Sequence, residues 1–132
     1  MENKFKLKKY DSLDECVLAS WKYEDPFLTD EEIKESTITC FDANGKEIEI
    51  TYRQQAEAMK SQGVWGWIDL QFVIHFWWNG KVPFNELIHF FAHEIGHRVG
   101  VAEKDDLKEE LRAETYGYTA SLAFQFCNEL TI

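Results

Sequence analysis

With 132 residues, 45% of them hydrophobic and 15% aromatic, the chain is long enough for one domain with its own core and too apolar to be disordered. A formal net charge of −10 argues against a basic nucleic-acid interface; no direct nucleic-acid binding is expected, while a basic protein partner is permitted. No apolar run reaches the roughly 18 residues of a membrane span, and the lysine-bearing start lacks the apolar stretch of a signal peptide, so neither a membrane nor export is expected. Cys16, Cys40 and Cys127 are odd in number and widely spaced, like free thiols of a reducing compartment, which makes a cytoplasmic setting the expectation.

Residues 1–11 form a charged lead with room for a short strand. Ser12-Leu13-Asp14-Glu15 has the pattern of a capping box, and Leu13, Val17, Leu18 and Trp21 mark the buried face of a helix to about Tyr23, closed by Pro26. Thr29-Asp30-Glu31-Glu32 starts a short helical turn. Residues 36–41 and 46–52 alternate polar and apolar around Asp42-Ala43-Asn44-Gly45, the signature of a β-hairpin. Arg53 to Ser61 reads as a helix ending at Gly63, followed by a glycine-punctuated aromatic loop, Val64-Trp65-Gly66-Trp67. Ile68 to Trp78 is the strongest strand pattern, with Phe72, Ile74 and Phe76 on one face and Val73, His75 and Trp77 on the other. The Trp65, Trp67, Trp77, Trp78 group is expected in the core; where exposed it would form an apolar pocket.

Beyond Asn79-Gly80, the residues Phe84, Leu87, Ile88, Phe91, Ile95 and Val99 recur with helical period between Pro83 and Gly100. This segment carries His93-Glu94-Ile95-Gly96-His97, a His-Glu-x-x-His motif. Four residues apart on a helix, His93 and His97 lie one turn above each other and can aim at one ion. Glu94 lies one residue round, angled away from direct ligation but within reach of a water. Two imidazoles, a neighbouring acid and an open position are what a hydrolytic zinc site requires. From about Asp106 a long helix runs to about Leu130, capped by Asp105 or Asp106.

A third ligand must come from outside the motif helix. His89 shares the four-residue spacing, but at 1.5 Å rise per residue it lies roughly 12 Å along the axis from His97, too far for three convergent bonds of about 2 Å. A supporting or core role suits it better. His75, on the strand, is a weaker ligand candidate and a better cleft-lining one. The downstream helix offers Glu110 and Glu114, one turn apart on one face.

Ala92-His93-Glu94-Ile95-Gly96-His97, followed by Glu110-x-x-Ala113-Glu114-x-Tyr116-Gly117, resembles the gluzincin metallopeptidases, and within them the ImmA/IrrE family and the single-domain minigluzincins. The resemblance covers about residues 68–125; residues 1–63, a helix–hairpin–helix part, match nothing. Two positions depart from the pattern: Glu114 stands where Asp or Asn is usual, and Gly117 where Ala is usual. The resemblance implies a small α+β zincin-like domain spanning 1–132. It would have a short mixed or antiparallel sheet on the His-Glu-x-x-His helix and a following glutamate-bearing helix. It implies Zn²⁺ held by His93, His97 and Glu110, with Glu114 touching a histidine; the reverse assignment, Glu114 on zinc, stays open. It also implies a strand before the motif helix to which an extended substrate adds, a place Leu70 to Trp77 would fill.

The implied activity is hydrolysis of a peptide bond in a protein or peptide substrate, with Glu94 as general base. A developing oxyanion needs a further stabiliser, for which Tyr118 and His75, then Tyr116, are the candidates. The competing expectation is a non-catalytic acidic protein that uses zinc as a staple and blocks a basic partner, as an inhibitor or nucleic-acid mimic would. Glu94 discriminates between them, because a structural zinc site has no use for an acid there.

Overall fold

The structure is a computed structural model that describes residues 4–130. It is a small α+β domain of five helices and two small sheets. The first three residues of the charged lead lie outside the described residues; the rest of the lead supplies strand β1 (Lys6–Lys9).

Helix α1 (Leu13–Glu24) starts where Ser12 Oγ accepts the Glu15 N–H at 3.2 Å. Helix α2 (Asp30–Glu35) begins at a full capping box between Thr29 and Glu32. Strands β2 (Ile38–Phe41) and β3 (Glu47–Ile50) form the antiparallel hairpin. Its turn is longer than two residues, with only Gly45 at positive φ, because Asp42 Oδ1 accepts the N–H groups of both Asn44 and Lys46. Helix α3 (Tyr52–Met59) runs into one 3₁₀ turn that Gly63 ends.

The region after Gly63 differs from the sequence expectation. Residues 64–67, expected as a loop, form strand β4 (Val64–Ile68) together with Ile68, and of the expected strand 68–78 only Val73–Trp78 forms β5. Between them the chain reverses at Asp69–Phe72. The Asp69 carboxylate makes this turn: its Oδ1 accepts the N–H groups of Gln71 at 2.8 Å and Val73 at 3.1 Å, while Phe72 takes φ 66°. Gly66 belongs in a strand because another side chain has no room there. A Cβ would stand 2.8 Å from Phe90 Cζ and 2.9 Å from Phe76 Cα.

The main sheet has the order β1-β5-β4, with β1 parallel and β4 antiparallel to β5. Strand β5 is therefore central and paired on both edges. That rules out the expected addition of a substrate strand to Leu70–Trp77. The strand with one edge unpaired on the side of the motif helix is β4.

Alternation sorts the sheet's side chains. Trp65 and Trp77 pack against the core of Leu13, Val17, Tyr52 and Ala56 from α1 and α3. Ile74 and Phe76 face the other way, and Phe76 meets Phe90 and Phe91 of helix α4 (Phe84–Gly96). Ile74 and Val17, each 1% exposed or less, are burials worth about 1.5–3 kcal/mol apiece. Helix α5 (Asp106–Leu130) lies against α4 through Ala113 and Gly117, both buried. Among the described residues no helix is long and apolar enough to cross a membrane.

Candidate metal centre

On the apolar face of α4, Phe90 and Phe91 meet Phe76 of the sheet and Leu87 is buried. His93 and His97 consequently emerge on the side that faces α5, with ring centroids 4.9 Å apart. Helix α4 ends earlier than its periodicity suggests, and His97 is its C-cap residue. Donor atoms of His93, Glu94 and His97 all lie within 4.8 Å of one another.

Across from them stands the first turn and a half of α5, whose start is fixed by Asp105: its Oδ1 accepts the Lys108 N–H at 3.0 Å. Glu110 straddles the two imidazoles, with Oε2 at 3.1 Å from His93 Nε2 and Oε1 at 3.4 Å from His97 Nε2. Glu114 lies on the opposite nitrogen of His93, 2.9 Å from Nδ1, and its other oxygen bonds His89 Nε2. Glu109 lies on the opposite nitrogen of His97, 2.7 Å from Nδ1.

Two carboxylates therefore compete for the place beside the Nε2 atoms. Glu94 is close but on the histidines' own helix; Glu110 approaches both from the facing one. Glu110 reaches both Nε2 atoms from the facing helix, and Glu94 lies beside them on α4. Glu94 is 8% exposed, and burial, reinforced by the negative charge of Glu110 and only partly offset by Arg98, pushes its carboxyl up to about 8. Glu109 is the opposite case. Its hydrogen bonds from Arg112, then from His97 and the Glu103 N–H, outweigh burial and hold its carboxyl at about 2.

The close approach of α5 depends on Gly117. A Cβ there would stand 2.7 Å from the His89 carbonyl oxygen. The His89 backbone and ring occupy the space that a Cβ at 117 would contest. Gly96 plays the same part against Tyr116, whose Cδ2 would be 2.9 Å from an added Cβ.

A cleft of about 1120 Å³ runs past the histidines, with Val64, Gly66 and Ile68 of β4 along one wall. In the antiparallel register, Asn79 N–H to Gly63 O and Asp69 N–H to Val73 O are ladder bonds, so the backbone groups of Val64 and Gly66 point to the unpaired side. Arg98 closes the far end of this edge by donating to Ile68 O at 3.1 Å and Asp69 O at 3.2 Å.

None of the three oxyanion candidates from the sequence lines this cleft. Tyr118 is 63% exposed on α5. His75 lies on the sheet face away from α4, stacked on Trp67 at 3.9 Å, with Nδ1 bonded to Tyr10 Oη and Nε2 to Asp69, both at 2.9 Å. Its strand position was right, but strand parity turns it from the motif helix. Tyr116 packs on the end of α4. His89 does line the cleft. Glu109 and Arg112 are the site residues that sequence reasoning missed. A signal was present, an i, i+3 acid–base pair in the first turns of a helix that follows the motif, but such pairs are common on any helix surface.

Compared with protein-family models, curated proteins and solved structures, the chain matches none of them.

Proposed function

We propose that the chain is a zinc-dependent peptidase of zincin type, of the gluzincin kind that its motifs resemble, with His93, His97 and Glu110 as metal ligands. The observation that carries this reading is the arrangement of Glu110 between both Nε2 atoms with Glu94 buried beside them. The donor set, two imidazole nitrogens and one carboxylate from a facing helix, suits zinc with a position left open. Zinc bound there supplies a Lewis acid for a scissile carbonyl and acidifies a water.

The chain's own residues do the rest. Glu94 accepts the proton of the attacking water and delivers it to the departing amine nitrogen. Burial raises the proton affinity of its carboxyl, and a cation held by the histidines would favour the ionised form that can take up the water's proton. The open edge of β4, through Val64 and Gly66, offers backbone donors and acceptors to an extended peptide drawn past the histidines. A zinc staple in a binding protein gives Glu94 no role, and burying an unused carboxylate costs stability. The test is cleavage of an unfolded protein such as casein by the zinc-loaded chain. Cleavage that stops on adding 1,10-phenanthroline and returns with zinc supports the reading; no zinc-dependent cleavage of any peptide tried contradicts it.

A further inference from the structure

Three carboxylates crowd the first turns of α5, but only one of them is fixed. Both oxygens of Glu109 are occupied: Arg112 Nε donates at 2.8 Å and Nη2 at 3.1 Å, the Glu103 N–H at 3.0 Å, and His97 Nδ1 lies at 2.7 Å. Its side chain is 17% exposed, against 49% for Glu114 and 61% for Glu110. Arg112 also donates to Val99 O at 2.7 Å and Gly96 O at 2.8 Å, carbonyls at the end of α4. Helix ends leave such carbonyls without intrahelical partners.

We propose that Glu109 is the positioning residue of the metal centre, fixing His97 with its Nε2 turned to Glu110, and that Arg112 holds Glu109 in place. This rests on the reading that His93, His97 and Glu110 hold zinc. The need for such a residue follows from where His97 stands. As the C-cap of α4 it lies where helices fray, and an imidazole there has two flips and two tautomers available. A carboxylate that can only accept selects the Nδ1–H tautomer and leaves the Nε2 lone pair free for a cation. Arg112 then fastens that carboxylate to the backbone of the very turn that carries His97. An ordinary i, i+3 ion pair on a helix surface is exposed and contributes little. This one is more than four-fifths buried on both sides and is joined by a histidine and two backbone carbonyls. His93 is held more loosely, because its partner Glu114 is half exposed and shared with His89.

The difference between the two histidines gives the test. Zinc affinity is measured by competition with a chromogenic chelator, ligand geometry by the visible absorption of the cobalt-substituted protein, and folding by thermal melting of the metal-free protein. Glu109→Ala is expected to weaken zinc toward 100-fold and to shift the cobalt band, more than Glu114→Ala, which loses about tenfold. Glu109→Gln keeps an oxygen that can accept from Nδ1 but lacks the charge, and should fall between wild type and Ala with little change in metal-free melting. A folded Glu109→Ala protein with wild-type zinc affinity, or a larger loss at Glu114, overturns the inference while leaving the zinc reading standing. If the Ala variant does not fold, Glu109→Gln decides, and wild-type affinity with an unshifted cobalt band overturns the proposal. A wild-type chain that binds no zinc overturns both.

Discussion

Gly117→Ala tests how tightly the two helices of the candidate metal centre are joined. In an exposed helix, Gly to Ala stabilises by about 1 kcal/mol, because Gly loses more backbone freedom on folding. Here the added Cβ would stand 2.7 Å from the His89 carbonyl oxygen and 2.8 Å from its ring Cδ2. An ordinary contact needs about 3.4 Å or more, so α5 must retreat from α4 by several tenths of an ångström or His89 must give way. The carbonyl is backbone within α4 and cannot rotate aside. Overpacking of this kind costs about 1–3 kcal/mol, and the backbone contact places this site toward the upper end, so after the propensity gain a net loss of up to about 2 kcal/mol is expected. For a chain of this size that lowers the melting temperature by up to about 10 °C. Differential scanning calorimetry of the metal-free protein measures it. The same retreat withdraws Glu110 and Glu114 from the histidines, so zinc affinity should fall as well. A higher melting temperature with undiminished zinc binding would mean that α5 does not lie this close on α4.

Two further predictions follow from the site and the turn beside it. Glu110→Ala should remove most of the zinc affinity while Glu114→Ala weakens it about tenfold, as read by zinc titration; a larger loss at Glu114 would exchange their roles. In the turn before β5, burial alone would raise the Asp69 carboxyl, but hydrogen bonds from His75 and from the Val73 and Gln71 N–H groups outweigh it and hold it below its ordinary 3.8. A depressed carboxyl contributes stability that is present above the unfolded value and lost as pH falls through the folded one. The metal-free protein should therefore lose stability on acidification below about pH 4, and Asp69→Asn should flatten that part of the curve; identical acid profiles would contradict it.

Most elements were legible where a local rule fixes them. Ser12 and Thr29 each cap a helix that starts one residue later, because a side-chain oxygen can satisfy an N–H there whatever the rest of the fold does; Thr51, expected in a strand, caps α3 in the same way. The β4–β5 turn was not legible. Alternation continues unbroken through Asp69-Leu70-Gln71-Phe72, with no Gly, Pro or Asn, and the reversal rests on one buried carboxylate and a phenylalanine at positive φ. Gly66 misled in the opposite direction: it looks like loop punctuation, but it marks the close approach of Phe90, a contact 24 residues on that no local pattern encodes. His93, Glu94 and His97 could be placed together from helical spacing alone. The order of Glu109, Glu110 and Glu114 around them could not, since three acids on one helix differ only in what the facing helix presents. Glu110 meets both Nε2 atoms, and the other two meet one Nδ1 each.

The central claim is that Glu94 acts as a base beside a metal that His93, His97 and Glu110 hold. The most direct measurement is peptide hydrolysis by zinc-loaded wild type and Glu94→Gln, each with its zinc content determined on the same sample. Gln matches Glu in shape but cannot take up a proton. The account predicts one equivalent of zinc in both proteins, with hydrolysis by the wild type and none above background by the variant. A Glu94→Gln protein that keeps its zinc and still cleaves peptide would contradict it.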